Sequence, residues 1–274
     1  MTAPSVIAIV VSYNTGPRLK ECLYALKADP QVDGAVIVDN GNPPETRTFL
    51  DEFCRKHVGF NLVSGHGNVG FGAGVNLGAS KTHSEHLLII NPDAILRWDS
   101  IKPLQETAKD LTEPWIVGGR IFDLRGREER GPRRKELTLL RAMTRAIGWN
   151  TWTLEDTPQP SGPVKMPVIS GAFFLMSKTG FNQLGGFDEG YFLHVEDIDL
   201  CRRCREAGGT VMYDPHAGAL HYGSTSDAPS KFVSGHKADS LKRYFRKFAR
   251  GPFHRLVVEL LMPFIGLATR LKRG

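Results

Sequence analysis

Apolar runs and amphipathic stretches alternate along the first 120 residues. Residues 6–11 and 35–38 are continuous apolar runs rich in β-branched side chains, which is typical of parallel strands buried on both faces. Further short apolar runs predict strands over residues 61–63, 86–90 and 115–119. Between the first two strands, apolar side chains recur at helical spacing, at Leu19, Cys22, Leu23 and Leu26. This alternation predicts an α/β fold with a doubly wound, mostly parallel sheet.

The rest of the chain departs from this alternation. Residues 122–165, called here the basic excursion, begin with six Arg or Lys side chains between positions 125 and 135 and end in a proline-rich stretch. We interpret them as a variable segment. Strands are predicted again over 169–176 and 210–213. The chain is thus expected to form one domain over residues 1–230 and basic amphipathic helices over residues 231–274.

The net charge of +6 belongs to this C-terminal tail. From residue 231 onward, eleven Lys or Arg side chains face two acidic ones, so the first 230 residues carry a net charge of −3. Because no basic patch with interleaved aromatics occurs in those 230 residues, nucleic acid is excluded as a partner. The apolar run over 256–268 contains Glu259 and Pro263, and we expect it to be too short to span a membrane.

An amphipathic helix lying at the anionic inner membrane surface fits the tail better, with Leu256, Leu260, Phe264 and Leu271 as its apolar face. The alternative is that these helices pack on the domain or form a homodimer interface. The N-terminus leads directly into a strand without a signal peptide, which predicts a reducing, cytoplasmic setting. The protein is therefore expected to be cytoplasmic and peripheral on the inner membrane.

Two short motifs give only weak evidence for a metal site and for a dinucleotide site. Cys201 and Cys204 have the CxxC spacing, but no second pair or His motif accompanies them, so buried thiols on a helix are favoured over zinc. Residues 65–70 match the G-x-G-x-x-G pattern, but they lie in the third βα unit rather than in the first turn. We therefore interpret this glycine-rich loop as a site of close backbone approach, to a ligand or a neighbouring strand.

Polar residues follow three of the predicted strands at their carboxyl ends, where α/β sheets bind ligands. Ser12-Tyr13-Asn14 ends the first strand, Asp39-Asn40 the second, and Asn91-Pro92-Asp93 the fourth. Each alone is also an ordinary turn signal. Their recurrence at three strand ends predicts a ligand site along one edge of the sheet.

The most informative stretch is residues 187–200, called here the acidic segment. It holds five carboxylates within twelve residues, interleaved with large apolar side chains. Half-buried carboxylates cost free energy unless they are paired, hydrogen-bonded or near a cation. The segment therefore predicts a site of proton transfer or cation binding. The alternative is a helix start, where acidic residues are favoured by the helix dipole.

These motifs together resemble family 2 of the inverting glycosyltransferases, which have the GT-A fold. The resemblance spans roughly residues 5–225. Within the family, the chain resembles bacterial rhamnosyltransferase-like members that build surface polysaccharides. It is carried by an ordered set of motifs at residues 10–14, 38–41, 67–76, 91–93, 170–174, 185–189 and 196–200.

The resemblance implies roles for the candidate residues. Asp39 would bind the donor's base, and Asp93 would hold Mg²⁺ or Mn²⁺ in an Asp-x-Asp position where Asn91 replaces the first aspartate. Asp197 would be the catalytic base, and His221 is either an additional metal ligand or a core or turn histidine. The other candidates are Ser12, Tyr13, Asn14, Asn68, Gly70, Asn76 and Asn91 for donor binding, and Gly171, Glu196 and Asp199 for acceptor binding or support.

This set suits a single displacement at a sugar carbon. A divalent cation would neutralise the leaving diphosphate of a nucleotide-diphospho-sugar, and one carboxylate would take the proton of the acceptor hydroxyl. No covalent nucleophile is needed, so the anomeric centre is inverted. Asp199 is expected to pair with Arg203 one helical turn on, a structural role.

We therefore predict a metal-dependent inverting glycosyltransferase that moves a sugar to a glycan or lipid-linked glycan acceptor. Rhamnose from dTDP-rhamnose is the donor that the resemblance favours, with UDP-galactofuranose and UDP-GlcNAc as alternatives. A sugar-1-phosphate nucleotidylyltransferase would carry a basic phosphate loop after the first strand, which is missing here. A catalytically silent scaffold is disfavoured because Asp93 and Asp197 are both present.

Overall fold

A computed structural model describes residues 3–129, 131–146, 158–222 and 230–271. Parts of two predicted features, residues 130 and 147–157 of the basic excursion and residues 272–274 of the tail, lie outside these ranges. The strands are β1 (Val6–Ser12), β2 (Gly34–Asp39), β3 (Phe60–Val63), β4 (His86–Ile90), β5 (Ala94–Leu96), β6 (Trp115–Phe122), β7 (Arg133–Arg134), β8 (Val164–Lys165), β9 (Val168–Ile169), β10 (Phe173–Ser177) and β11 (Thr210–His221). The helices are α1 (Arg18–Ala28), α2 (Pro44–Lys56), α3 (Phe71–Ala79), α4 (Ile101–Ala108), α5 (Leu139–Ala146), α6 (Lys178–Gln183), α7 (Glu196–Glu206), α8 (Ser230–Lys247) and α9 (Gly251–Leu271).

The main sheet confirms the predicted α/β fold with a mostly parallel sheet. Its strand order is β3-β2-β1-β4-β10-β6-β11-β5, with β8 paired to β11. The four strands from β3 to β4 run parallel, as do β6 and β11, while β10 and β5 are antiparallel to their neighbours. In the β1–β2 register Ser12 lies opposite Asp39, so the two strand ends present their polar residues side by side.

The predicted strand over 169–176 is divided in two. Its first part, β9, pairs with β7 of the basic excursion, and its second part, β10, enters the main sheet between β4 and β6. The turn between them holds Ser170, Gly171 and Ala172. The division follows from this change of partner, and it brings the basic excursion against the edge of the sheet where the candidate residues lie.

Glycines in α3 allow the helix to pack closely on the sheet. A Cβ added to Gly74 would lie 2.8 Å from Val11 Cγ1, and one added to Gly78 would lie 2.8 Å from Ile9 Cγ2. The glycine-rich stretch therefore serves close approach to neighbouring strands, which is one of the two interpretations that its sequence allowed.

A second, smaller core joins the tail to the acidic segment. Tyr191 and Val195 are buried there with Tyr244 and Phe245 of α8 and with the α9 residues Val258, Met262 and Ile265. The first tail helix, predicted to be amphipathic, thus packs Tyr244 and Phe245 into the protein. The buried thiols predicted for α7 are also present, since Cys201 and Cys204 are buried and free.

The second tail helix corrects one expectation. The sequence predicts an apolar run that is too short to span a membrane, but α9 continues through Pro263 for 21 residues. By length and composition alone, Gly251–Arg270 of the described chain could cross a membrane, with a mean hydropathy of 1.2. The run lengthens because the residues on both sides of the predicted stretch are helical, and because neither Pro263 nor Glu259 interrupts the helix.

Candidate active site

The first corner of the site lies where β1 and β2 end. Asp39 is buried, and its Oδ1 accepts hydrogen bonds from the backbone nitrogens of Gly41 (3.0 Å) and Asn42 (2.8 Å). Arg47 Nε lies 3.5 Å from the other carboxylate oxygen. Ser12 is buried beside Asn42, to which its hydroxyl donates a hydrogen bond of 3.1 Å. The next two candidates in the loop after β1, both half-buried, are Tyr13 and Asn14.

The glycine-rich loop forms the second corner. Asn68 Oδ1 accepts the backbone nitrogen of Gly70 at 3.0 Å, and Asn40 Nδ2 donates to Gly70 O at 3.0 Å. Gly70 has a φ of +88°, and a Cβ there would lie 2.4 Å from Phe192 O. Only glycine fits this position, because the acidic segment crosses directly over it.

Asn76, predicted to bind the donor, is engaged differently. Its Nδ2 donates to Phe187 O at 2.9 Å, and its Oδ1 accepts the backbone nitrogen of Phe187 at 2.8 Å. The side chain therefore anchors the start of the acidic segment to α3, a contact that the sequence did not predict.

The third corner brings Asp93, His221 and Asn91 together. The short strand β5 pairs antiparallel with β11, so that His221 lies opposite Ala94, next to Asp93. His221 Nε2 lies 3.2 Å from Asp93 Oδ1 and 3.5 Å from Asn91 Nδ2. Its other ring nitrogen, Nδ1, lies 3.1 Å from Glu129 Oε2. In the sequence, His221 belongs to the stretch Leu220-His221-Tyr222-Gly223-Ser224, of which residues 223–224 lie outside the described residues.

Glu129 is a residue that the sequence analysis missed. It comes from the basic excursion, where no periodicity or motif marks it. Burial lowers the pKa of His221, but Asp93 and Glu129 together raise it above its ordinary value, since both carboxylates favour the imidazolium.

The donor set of this corner fits Mg²⁺ or Mn²⁺. One carboxylate and one imidazole face each other, and the second imidazole nitrogen is held by another carboxylate, as is usual around histidine metal ligands. Among the described residues no three His, Cys, Asp or Glu side chains form a complete metal cage. A cation here would therefore take its remaining ligands from substrate phosphate and water, as Mg²⁺ usually does.

Asp197 lies at the start of α7, facing the turn between β9 and β10. Its Oδ2 accepts a hydrogen bond of 3.0 Å from the backbone nitrogen of Gly171 and also contacts the guanidinium of Arg134. A Cβ on Gly171 would lie 3.2 Å from that of Asp197, so glycine permits this approach. The next residue in the same turn is Ala172, whose carbonyl oxygen accepts a hydrogen bond of 2.9 Å from the backbone nitrogen of Asn91. A short chain of backbone contacts thus joins the Asn91-Pro92-Asp93 corner to Asp197.

The two acidic neighbours of Asp197 occupy different environments. Asp199 is fully buried and accepts hydrogen bonds from Tyr191 Oη at 3.1 Å and Arg203 Nε at 2.5 Å, which confirms the predicted pair with Arg203. Glu196 is also buried. Burial, and next the charge of Asp197, raise the pKa of Glu196 to about 8.

The backbone just before α7 is strained. His194 and Val195 have φ values of +68° and +73°, in the left-handed region that β-branched residues rarely adopt. Strain of this kind persists only where the surrounding structure holds it, and it is concentrated at functional sites.

Basic side chains of helix α8 pair with a carboxylate of the acidic segment. Asp188 is paired with Arg243 and Lys247 of α8, both at 2.7 Å. Burial raises the pKa of Asp188, but the hydrogen bonds from Arg243 and Lys247 outweigh it and lower this pKa to about 2. The first tail helix therefore supplies cations to the segment that carries the candidate base.

Comparison with known proteins identifies the family. The family model described as "Glycosyl transferase family 2" matches residues 7–185. The chain belongs to this family. It is therefore a glycosyltransferase, and members of this family typically invert the anomeric centre. Family membership decides against the nucleotidylyltransferase alternative.

Two curated relatives are rhamnosyltransferases. The chain is 28% identical over 248 residues to N-acetylglucosaminyl-diphospho-decaprenol L-rhamnosyltransferase of Mycobacterium tuberculosis, covering 83% of this chain and 80% of that protein. It is 26% identical to rhamnosyltransferase WbbL of Escherichia coli, covering 89% and 93%. Among solved structures, a mannosyltransferase of Pyrobaculum calidifontis in complex with GDP-Man and Mn²⁺ superposes with a TM-score of 0.64 at 15% identity, covering 98% of this chain and 74% of that one. This last likeness supports the GT-A fold.

Proposed function

We propose that this glycosyltransferase moves rhamnose from dTDP-rhamnose to a lipid-linked glycan acceptor, in a metal-dependent single displacement. The observation that carries the proposal is the chain of contacts from Asn91 through Ala172 and Gly171 to Asp197. Through it, the candidate cation corner and the candidate base both contact the turn at residues 170–172, which supports their acting on one substrate.

The donor would lie along the carboxyl edge of β1, β2 and β4. Asp39, with Ser12 and Tyr13, would bind the base of the nucleotide, and the loop from Asn68 to Gly70 would lie along the rest of the donor. Asp93 and His221 would hold Mg²⁺ or Mn²⁺, which when bound neutralises charge on the leaving diphosphate. Asn91 and Glu129 would orient His221.

Asp197 would take the proton from the attacking acceptor hydroxyl. Its carboxylate is half-buried, and the Gly171 nitrogen fixes its orientation. General-base catalysis of this kind contributes about 10²–10⁴-fold to the rate. Asp199, already bonded to Tyr191 and Arg203, would support the helix rather than accept the proton.

The acceptor is proposed from the names of the relatives. The mycobacterial protein is named for a diphospho-decaprenol acceptor carrying N-acetylglucosamine. A polyprenol-linked acceptor remains in the membrane, so an enzyme that uses it must reach the membrane surface. We therefore propose that the protein acts on the cytoplasmic side of the membrane, where nucleotide-sugars are made.

Helix α9 supports attachment to the membrane surface. One face packs in the second core through Val258, Met262 and Ile265. The opposite face exposes an apolar stripe at helical spacing, comprising Phe253, Leu256, Leu260, Phe264 and Leu267. With the basic side chains around it, this stripe suits an anionic lipid surface, where each Lys or Arg contributes about 1 kcal/mol.

The decisive experiment for the reaction uses dTDP-rhamnose and a synthetic N-acetylglucosaminyl-diphospho-polyprenol. We expect rhamnosylated product with added Mn²⁺ or Mg²⁺, loss of product in EDTA, and recovery when the cation is restored. Turnover with UDP-GlcNAc or UDP-galactofuranose but not dTDP-rhamnose would replace the proposed donor. Full activity in EDTA would overturn the metal role, and no turnover with any donor would favour a silent scaffold.

Membrane attachment is tested by sedimentation with vesicles of phosphatidylglycerol or of phosphatidylcholine alone. We expect pelleting with the anionic vesicles, weakened by salt. The double variant Leu256→Gln/Leu260→Gln should remain in solution, whereas the control Val58→Gln/Leu124→Gln, also exposed and apolar, should pellet like the wild type. A dimer that dissociates in the first variant, without pelleting of the wild type, would mean that the stripe binds a second copy of this chain.

A further inference from the structure

The last residue of helix α8, Lys247, contacts the acidic segment at two points. Lys247 Nζ lies 2.7 Å from Asp188 Oδ2 and 2.7 Å from Asp199 Oδ2. The two aspartates lie on either side of the strained backbone at His194 and Val195, called here the strained turn. Asp199 is fully buried. We infer that Lys247 is a positioning residue that fixes the orientation of the Asp197 carboxylate; this inference rests on the proposed function of Asp197.

The strained turn is clamped from the same helix. Ser240 Oγ donates to Leu193 O at 3.0 Å, immediately before His194. The side chain of Val195 is buried in the core that Tyr244 and Phe245 share with α9. Arg243 passes so close to Gly190 that a Cβ there would overlap its guanidinium. Helix α8 therefore contacts the segment before, at and beyond the strained residues.

The direction of Asp197 depends on this turn. Asp197 is two residues beyond Val195, and its carboxylate is aimed at the Gly171 nitrogen. If the left-handed turn relaxed, the first turn of α7 would rotate and carry the carboxylate away from Gly171. Lys247 opposes that relaxation because it holds Asp188 and Asp199 to one point.

An ordinary surface ion pair would have little effect here, since exposed pairs contribute little to stability. Lys247 differs in that its side chain is only 30% exposed and one of its partners is buried. Removing it leaves Asp199 with Tyr191 and Arg203, so the fold can persist while Asp199 loses its ion pair with α8.

The test compares Lys247→Met with Lys242→Met in the full chain. Lys242 lies on the same helix and its substitution changes the charge equally, but its charge acts on Glu259 of α9 rather than on the acidic segment. We expect Lys247→Met to lower kcat by about 10–100-fold, the effect of misplacing a reacting group by about 1 Å. The donor KM should change less than threefold, Lys242→Met should match the wild type, and Lys247→Arg should recover most of kcat.

A double-mutant cycle separates positioning from a structural role. In an Asp197→Asn background there is no base to orient, so Lys247→Met should cause no further loss of kcat. Unchanged kcat in Lys247→Met, or an equal loss in both backgrounds, would overturn the inference. If Lys247→Met lowers Tm by more than a few degrees, Lys247→Gln replaces it with the same expectations.

The same data separate this inference from the proposed function. Full activity of Asp197→Asn would overturn the role of Asp197 and the inference with it. An inactive Asp197→Asn beside a fully active Lys247→Met would overturn the inference alone.

Discussion

The guanidinium of Arg134 contacts the carboxylate of Asp197, although 63 residues separate them in the chain. Arg134 belongs to β7 in the basic excursion, and β7 pairs with β9 next to the turn that holds Gly171. It also donates to Ile169 O at 3.2 Å. The basic excursion is thus part of the candidate site, and it brings a positive charge to the proposed base.

This contact predicts that Arg134 helps to orient the carboxylate of Asp197. In Arg134→Gln we expect kcat to fall by about 10–100-fold, the effect of misplacing a reacting group by about 1 Å, with little change in the donor KM. The measurement is steady-state kinetics of the variant beside the wild type. Arg134→Lys, which keeps the charge, is the control and should recover most of kcat. An unchanged kcat in Arg134→Gln would mean that the contact does not position the reacting group.

Substitutions of the two aspartates of α7 should affect different properties of the protein, catalysis for Asp197 and stability for Asp199. Asp197→Asn is expected to lower kcat by about 10²–10⁴-fold with little change in Tm, because it removes a base at a half-buried position. Asp199→Asn should instead destabilise the protein, since breaking a buried ion pair costs about 3–5 kcal/mol, or roughly 6–20 °C in Tm. The measurements are steady-state kinetics and thermal unfolding. The reverse pattern, with Asp199→Asn folded but inactive, would mean that Asp199 is the base.

The contact of Glu129 with His221 predicts that Glu129 affects the affinity for the cation rather than the rate of the chemical step. It holds the second ring nitrogen of His221, and loss of such an outer partner typically weakens metal affinity by about 10–100-fold. Glu129→Gln should therefore need a higher Mn²⁺ concentration for half-maximal activity, with kcat recovered at saturation. Glu136→Gln, in the same excursion but paired with Arg205, should titrate like the wild type. A lowered kcat that saturating Mn²⁺ does not restore would contradict this role.

The strand ends were predictable because buried parallel strands are continuous apolar runs. Asp39 and Asn91 follow such runs directly, so their place at the sheet edge follows from the fold class. The pairing of Asp199 with Arg203 was predictable for a similar reason, since it depends only on helical spacing. Both predictions use local patterns of sequence.

The contacts that complete the site are not local. Glu129 and Arg134 come from a segment without periodicity, and they reach the site only because β7 pairs with β9 and Phe122 bridges Glu128. The contact of His221 with Asp93 depends on β5, a strand of three residues. The link from Lys247 to Asp199 joins the tail to the acidic segment, which the sequence analysis treated as separate parts. Tertiary packing decides all three, and no local pattern encodes it.

Glu196 makes the stability of the protein depend on pH. The side chain is buried beside Asp197, and these two causes raise its pKa to about 8, although Arg134 acts in the opposite direction. An acid whose pKa is raised by folding contributes stability that is fully present below its unfolded pKa, about 4.3, and is lost as pH rises toward the folded value. The wild type should therefore lose stability between about pH 4 and pH 8. Glu196→Gln, which stays neutral, should not lose this contribution.

The measurement is thermal unfolding of both proteins across that range. Near pH 4 the two should have similar Tm values, because Glu196 is then mostly protonated in both the folded and the unfolded state. By pH 7 the variant should be more stable by roughly 3 kcal/mol, or about 6–12 °C. Glu136→Gln, measured alongside, is the control for simple loss of a negative charge. Parallel curves for Glu196→Gln and the wild type would mean that Glu196 is ionised in the folded protein, with its charge balanced by Arg134.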